Sequence, residues 1–231
     1  MWITKDNINE FIEGSSMNCG NMGVTKIDYI PDNIKYLDCQ YNRLTELPKL
    51  PDGLKYLYCH SNRLTELPKL PNSLTYLDCY NNELTELPKL PESLIGLYCG
   101  NNKLTELPKL PNSLTYLDCY NNELTSLSKL PDSLKRLYCD NNELTELPIL
   151  PNSLIGLFCV DIELTELPKL PESLTDLDCD NNELTELPKL PESLMGLFCG
   201  NNNLPYKVTL NNLKQHNKLT KRKQILSRIC G

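Results

Sequence analysis

The sequence predicts a repeat solenoid that is mostly β, with a parallel sheet on one side and extended chain on the other. Ten of the eleven cysteines recur every twenty residues, from Cys19 to Cys199. Each unit also has leucines at fixed positions and ends in Leu-Pro-x-Leu-Pro or a close variant. A period of about 20 to 50 residues is typical of stacked repeats, so the cysteines predict about ten coils.

One unit predicts the path of a coil. Leu77 and Cys79 alternate with other residues, and this period of two indicates a short strand. Pro88 and Pro91 exclude a helix interior and favour an extended, polyproline-like return. Twenty residues leave no room for a strand and a full helix. Because one coil cannot bury its leucines alone, the coils must stack into a parallel sheet with strands about 4.8 Å apart.

The cysteine column is predicted to belong to the core. Cysteine occupies a position where the alternation points inward, and it acts there as a small apolar residue between leucines. A metal site or a ladder of disulfides is the alternative. Inward columns without histidine or acidic residues match no metal geometry. We therefore assign no metal ligand and no cofactor.

Asparagines form a second column just after the strand, from Asn42 to Asn202. Their amides are expected to bond to the backbone of the bend and to each other from coil to coil. Ile162 interrupts the column. The gap indicates either the loss of one hydrogen bond, about 1 kcal/mol, or a local bend or weak coil between residues 126 and 162.

Both ends of a solenoid need covers. Residues 1–18 are predicted to form an N-terminal cap, with an amphipathic helix after Asp6, and residues 19–204 the solenoid. Residues 205–231 are predicted to form a basic helical cap. The apolar side of the N-terminal helix is Ile8, Phe11 and Ile12, and that of the C-terminal cap is Leu210, Leu213, Leu219, Leu226 and Ile229. The alternative for the tail is a nucleic-acid or import segment at Lys221, Arg222 and Lys223.

Charge and the absence of targeting signals indicate the type of compartment. The net charge is −7, but residues 201–231 have seven basic residues and no acidic one, so the preceding body is strongly acidic. The first residues, MWITKDNINEFIEG, lack the apolar core of a signal peptide, and no stretch is apolar enough to span a membrane. We expect no membrane association and a reducing, intracellular compartment.

The residues flanking Leu and Cys in each strand are predicted to form a concave face. Nine of the twelve tyrosines lie there. Tyrosine is favoured in binding surfaces, and acidic residues between the rings would select a basic partner. The predicted partner-binding residues are Tyr56, Tyr58, Tyr76, Asp78, Tyr80, Tyr98, Tyr116, Asp118, Tyr120 and Tyr138. A purely structural role for the rings, as cross-strand pairs and covers for glycine, is the alternative.

The pattern L-x-x-L-x-C-x-x-N-x-L followed by T-E-L-P-K-L-P resembles the leucine-rich repeat, over about residues 19 to 204. Its length and Leu-Pro ending look like the short bacterial type found in secreted effectors. Cysteine at the third apolar position is also similar to leucine-rich repeat proteins of giant DNA viruses. The resemblance implies a horseshoe with a concave parallel sheet and a protein-binding role. Some bacterial relatives have a ubiquitin-ligase domain with a Cys-x-Asp motif, but Cys159-Val160-Asp161 has the phase of a core cysteine.

The sequence thus predicts a non-catalytic scaffold that binds a protein with a basic surface. Only His60 and His216 are present as histidines, and neither has the context of a catalytic base. An acidic solenoid disfavours extended contact with nucleic acid, so that role is the alternative, through the basic tail. We expect a monomer, in host cytoplasm if the protein is viral or an effector.

Overall fold

The computed structural model describes residues 1–230, and their side chains through residue 223. Thirteen short strands precede one long helix, α1, at Leu213–Cys230. Single 3-10 turns lie at Ile8–Phe11 and Leu210–Asn212. In chain order the strands are β1 Trp2–Ile3, β2 Ile12–Glu13, β3 Ser16–Asn18, β4 Lys26–Ile27, β5 Tyr36–Asp38, β6 Tyr56–Tyr58, β7 Tyr76–Asp78, β8 Gly96–Tyr98, β9 Tyr116–Asp118, β10 Arg136–Tyr138, β11 Gly156–Phe158, β12 Asp176–Asp178 and β13 Gly196–Phe198.

Eleven of the strands form one sheet, which runs from β2 to β3 and then from β5 to β13 in sequence order. Every neighbouring pair in this sheet is parallel except β2 and β3. The twenty-residue period fixes the register, so Leu117 pairs with Leu97 on one side and with Leu137 on the other. The predicted mostly β solenoid with a parallel sheet is confirmed.

The opposite side of each coil consists of the Leu-Pro segments. They contain neither helix nor strand, as two closely spaced prolines require. Each ends in a tight turn, in which, for example, the Leu114 N–H donates to the Pro111 carbonyl at 3.1 Å. The leucines of these segments join those of the strands in one continuous core.

The cysteines lie in that core. Nine of them, from Cys19 to Cys179, are fully buried, and Cys199 in the last coil is partly exposed. All ten are free thiols, and the Cys119 Sγ donates to the Tyr138 carbonyl of the next coil at 3.4 Å. Burial raises the pKa of the Cys119 thiol well above its ordinary value of 9.0. The column therefore consists of neutral core residues, as predicted.

The asparagine column holds the bend of each coil against its neighbour. The Asn122 Nδ2 donates to the carbonyl oxygens of Cys99 and Cys119 at 3.1 and 3.0 Å. Its Oδ1 accepts from the Leu104 N–H at 3.0 Å. One side chain thus satisfies backbone groups of two coils, which confirms the predicted bonds to the bend.

The predicted amide-to-amide contacts within this column are wrong. They occur one residue earlier in the coil, where the Asn201 Nδ2 donates to the Asn181 Oδ1 at 2.7 Å. Asn121 and Asn101 pair in the same way. The reason is that the amides of the predicted column already make all their hydrogen bonds to the backbone. The side chains of the preceding asparagines are not engaged in this way and can bond to each other.

Ile162 breaks the asparagine column and changes the turn. Its side chain is buried, and it offers no acceptor to the Leu144 N–H, whereas the equivalent Leu124 N–H donates to Asn142 at 3.1 Å. Glu163 has a φ of 58°, a left-handed conformation that only Gly23 adopts at the same phase of the other described coils. The predicted loss of a hydrogen bond is confirmed, and a distortion of the turn accompanies it.

The N-terminal cap differs from its prediction. Instead of an amphipathic helix after Asp6, the chain forms one 3-10 turn and then a β-hairpin of β2 and β3. Gly14, at a φ of 61°, turns the hairpin. The hairpin pairs the open edge of the first coil, which a helix would leave unpaired. Ile8 is buried as expected, and Phe11 and Ile12 are partly buried against the core.

The C-terminal cap is one helix, α1, lying against the extended side of the last coil. Leu213 is buried, and the Asn217 amide makes two bonds to Leu190, accepting from its N–H at 2.8 Å and donating to its carbonyl at 2.7 Å. Leu219 is partly buried, as expected. The predicted burial of Leu210 is wrong, because it lies in the 3-10 turn and is 41% exposed. The side chains of Leu226 and Ile229 lie outside the described residues.

Candidate protein-binding face

The open face of the sheet carries the residues that flank each core leucine. Because successive side chains in a strand point to opposite faces, Tyr76 and Asp78 lie opposite the buried Leu77. We call this surface the tyrosine face. Eight of the ten predicted binding residues lie within its strands, and Tyr80 and Tyr120 follow β7 and β9 by two residues. The eight are Tyr56, Tyr58, Tyr76, Asp78, Tyr98, Tyr116, Asp118 and Tyr138.

The rings of the tyrosine face stack from strand to strand. Tyr56 and Tyr76 are nearly parallel, with ring centroids 5.4 Å apart and an angle of 9°. Tyr138 stacks on Phe158 at 4.3 Å and 2°. Such cross-strand pairs contribute roughly 0.2–1 kcal/mol each. The rings therefore have a structural role as cross-strand pairs. Tyr56 nevertheless exposes 36% of its surface to solvent.

Two glycines allow tyrosine rings to lie directly against the backbone. A Cβ added at Gly96 would lie 2.8 Å from the Tyr76 ring, and one added at Gly100 would lie 2.7 Å from the Tyr120 ring. No side chain fits at those distances, so the rings cover the glycine backbone. The covering predicted from the sequence is confirmed.

A hydrogen-bonded pair of tyrosines spans the gap above Gly100. The Tyr120 hydroxyl donates to the Tyr80 hydroxyl at 2.7 Å, although the two residues are forty positions apart. The Asn101 Nδ2 also donates to the Tyr80 hydroxyl, at 2.6 Å. Burial and the bond to Tyr80 raise the pKa of Tyr120. The bridge fixes both rings, so this part of the face is preorganised.

Two carboxylates lie among these rings, on either side of Tyr98. One oxygen of Asp78 accepts from the Tyr80 N–H at 3.2 Å, and one of Asp118 accepts from the Tyr120 N–H at 3.4 Å. Within the described part of the chain, neither pairs with a lysine or arginine. Burial raises the pKa of both carboxyls, that of Asp118 to about 6. These acids are thus partly dehydrated without a full counter-charge.

A shallow depression of about 320 Å³ lies over this region. It is lined by Tyr41, His60, Asp78, Tyr80, Tyr98, Asp118 and Tyr120. Its wall includes two residues outside the predicted set, His60 and Tyr41, whose rings meet edge to face at 4.8 Å. The His60 Nε2 lies 4.0 Å from the Asp78 Oδ2.

Tyr41 could have been found from the sequence by its phase. Most coils have asparagine there, because the backbone is left-handed, as at Asn81 with a φ of 53°. Tyr41 adopts a φ of 51° and is 58% exposed. A bulky ring is unusual in that conformation. An exception to a repeating local requirement is thus a signal for a surface role.

The raised pKa of Asp118 predicts that acidification stabilises the fold. The folded carboxyl has a pKa of about 6, against an ordinary value of 3.8, because burial and the Asp140 and Asp78 charges outweigh the Tyr120 N–H. The folded state therefore holds a proton that the unfolded chain releases, and this stability is lost as pH rises from about 4 to about 6. Melting temperature against pH, with Asp118→Asn as the comparison, measures it.

The variant is expected to show a flatter profile between these pH values and a higher melting temperature at pH 7. The remaining slope belongs to Asp78, Asp140 and Asp178, whose carboxyl pKa values burial also raises. A carboxyl NMR titration of Asp118 with a midpoint at or below 4 would contradict the prediction.

The alternative basic site lies on α1. Lys221, Arg222 and Lys223 are exposed, and the Lys223 Nζ lies 3.2 Å from the Glu186 Oε2. One of the three charges is thus already directed at the acidic solenoid. Among the described side chains, no cluster of His, Cys, Asp or Glu has the arrangement of a metal site. No helix in the described residues has the length and apolarity needed to cross a bilayer.

Stacked twenty-residue coils with one open face define a solenoid scaffold. The leucine-rich repeat family matches residues 52–92 and 92–132. The chain is also 32% identical to the leucine-rich repeat domain of a Shigella effector, with a TM-score of 0.59, over 69% of this chain and 74% of that one. The chain belongs to the leucine-rich repeat family.

Two further structures locate it within that family. YopM, a leucine-rich effector protein from Yersinia pestis, is 34% identical over 85% of this chain, with a TM-score of 0.76, and the chain spans 63% of its length. The functional domain of InlJ from Listeria monocytogenes, which includes a cysteine ladder, is 26% identical over 88% of this chain and 56% of its own, with a TM-score of 0.58. No curated protein sequence matches.

These similarities confirm the predicted resemblance to short bacterial effector-type repeats. The similarity to proteins of giant viruses stays a prediction.

Proposed function

We propose that the chain is a non-catalytic scaffold that binds a protein with a basic surface through the tyrosine face. Leucine-rich repeat proteins are generally non-catalytic scaffolds. The observation that supports the proposal most is the pair Asp78 and Asp118, held among aromatic rings without a lysine or arginine partner in the described residues. The His60 ring approaches Asp78 only to 4.0 Å. A partly dehydrated carboxylate is costly to leave unpaired. A basic group of a partner would complete both sites.

The binding mechanism is preorganisation. Tyr80 and Tyr120 are fixed by their mutual hydrogen bond, so little side-chain entropy is lost when a partner covers them. Tyrosine offers a large contact area with a polar tip. The acidic body attracts a basic partner from a distance, and this steering weakens as salt is added. Binding of this kind requires no covalent reaction.

The setting of this function is also part of the proposal. We propose that the protein acts as a monomer in a reducing, intracellular compartment, where free thiols persist. The ten described cysteines are free and most are fully buried. No cofactor is needed for a contact of this kind.

The test compares proteins captured from a cell lysate by the natural chain and by a variant with Tyr76, Tyr80, Tyr116 and Tyr120 changed to Ser. A second variant changes Lys221, Arg222 and Lys223 to Gln, and each capture is repeated with nuclease. We expect the tyrosine changes to remove specific partners and the lysine and arginine changes to leave them. Affinity of a purified captured protein for each chain then gives the size of the effect.

Circular dichroism must show that the tyrosine variant is still folded at the temperature of the capture, so that lost binding is not lost folding. Its melting temperature is expected to fall somewhat, because the stacked pairs are lost. Partners that survive the tyrosine changes but vanish with the basic-segment variant or with nuclease would refute the proposal. Function would then lie in the C-terminal segment, as the alternative prediction states.

A further inference from the structure

Aspartate and aromatic residues alternate along the central column of the tyrosine face. The residue after the core leucine is in turn Asp38, Tyr58, Asp78, Tyr98, Asp118 and Tyr138. These residues pair in register from strand to strand. In this stretch a carboxylate recurs in every second coil, whereas the leucines and cysteines of the core recur in every coil.

Between β5 and β10, only two of the three carboxylates in this column are available to a ligand; a fourth, Asp178, lies in β12, beyond the alternating stretch. Asp38 is 7% exposed, and both its oxygens accept from Gln40, at 3.2 Å from the N–H and 3.1 Å from Nε2. In the part of the chain with described side chains, the second oxygen of Asp78 approaches only the His60 ring, at 4.0 Å. The described residues donate nothing to the second oxygen of Asp118. Asp78 and Asp118 thus form a matched pair of acceptors.

The spacing of this pair indicates the conformation of its ligand. Strands in a sheet lie about 4.8 Å apart, so residues two coils apart are separated by roughly 9.6 Å along the solenoid. Three residues of a polyproline II helix span about 9.3 Å, and every third residue points the same way. Two residues of an extended strand span about 6.7 Å. One turn of an α-helix spans about 5.4 Å and two turns about 10.8 Å.

The surroundings of the pair fit proline rings. Tyr98 lies between the two carboxylates, with Tyr116 stacked on it at 4.6 Å. Tyr80 and Tyr120 form the other wall of the depression. Grooves lined by aromatic rings bind polyproline II segments, which lose little entropy on binding because they are already extended.

We propose that this part of the tyrosine face binds a polyproline II segment of a partner protein with two basic residues three positions apart, one on Asp78 and one on Asp118. The prolines between them pack against Tyr98 and its neighbours. This inference rests on the proposed function and specifies the chemistry of its partner.

Binding of synthetic peptides to the full chain tests the spacing of the two basic residues. Pro-Pro-Arg-Pro-Pro-Arg-Pro-Pro has arginines three apart, and Pro-Pro-Arg-Pro-Arg-Pro-Pro-Pro has the same composition with arginines two apart. Calorimetry or fluorescence anisotropy at fixed salt measures both. We expect the first peptide to bind about tenfold more tightly, since the second can pair only one arginine well.

Variants of the chain supply the second comparison. Changing Asp78 and Asp118 together to Asn is expected to weaken the first peptide about tenfold or more and to remove its advantage. Asp38→Asn is the matched control, in the same column but already satisfied by Gln40, and it is expected to leave binding unchanged.

Equal binding of the two peptides, or no binding of either, would overturn this inference. Tighter binding of a helical peptide with arginines seven apart would overturn it as well, in favour of a helix. In each case capture of partners that depends on the four tyrosines would still support the proposed function. If the natural chain also captures no protein in a way that depends on these tyrosines, both proposals fail.

Discussion

Replacing Leu117 with alanine is expected to lower the free energy of unfolding by about 2–5 kcal/mol, the usual cost of a cavity at a fully buried leucine. Leu117 has no exposed surface and pairs with a leucine on each side, Leu97 and Leu137. In a solenoid each coil contacts only its neighbours, so no distant part of the fold compensates for the lost contacts. Urea and thermal unfolding followed by circular dichroism measure the change.

Ile149→Ala is the matched control for this prediction. Ile149 is 89% exposed and stands where most other coils have lysine, so its loss removes almost no buried surface. The control is expected to change the unfolding free energy by no more than about 0.5 kcal/mol. Comparable effects at the two positions would mean that the strand leucines are not the core of the fold.

The repeating part of the fold could be predicted from sequence because one physical solution is reused in every coil. Leu77 and Cys79 alternate in the same way as Leu117 and Cys119, so an error in one coil would have to recur in all of them. The cysteine column follows for the same reason, since a residue at one phase of a period of two must point to one side.

The N-terminal cap could not be predicted in the same way, because its structure depends on distant partners. β1 pairs with β4, about twenty-four residues further along the chain, and the hairpin of β2 and β3 exists to close the sheet edge. Local apolar spacing at Ile8, Phe11 and Ile12 fits a helix equally well. Tertiary pairing therefore decided between two patterns that the sequence alone does not separate.

The details of the tyrosine face depend on exceptions within the repeat. Tyr80 and Tyr120 meet only because Gly100 leaves a gap between them. Asp38 and Asp78 have the same phase, yet Gln40 satisfies one and His60 only approaches the other. Sequence reasoning found the columns but not these contacts, which arise between side chains of different coils.

Asn122→Ala is expected to lower the free energy of unfolding by about 2–4 kcal/mol. The change removes the acceptor of the Leu104 N–H. It also removes one of two donors to each carbonyl of Cys99 and Cys119, which keep Asn102 and Asn142 as donors. The buried N–H left without a partner costs about 1–3 kcal/mol, and the loss of one hydrogen bond at each carbonyl adds to that cost. Asn122 is 9% exposed, so water reaches these groups poorly. Denaturant unfolding of the variant and the natural chain measures the difference.

Asn121→Ala is the control, one residue earlier in the same turn. Asn121 is exposed, and among the described side chains it pairs only with Asn101, so its loss removes no bond to the backbone. Its left-handed φ of 50° favours asparagine, and the expected cost is about 1 kcal/mol. The coil at Ile162 already lacks the asparagine equivalent to Asn122. There the turn is distorted, and an apolar side chain fills the space. If Asn122→Ala costs no more than Asn121→Ala, the column is not a stabilising ladder, and the leucines and cysteines alone hold the coils together.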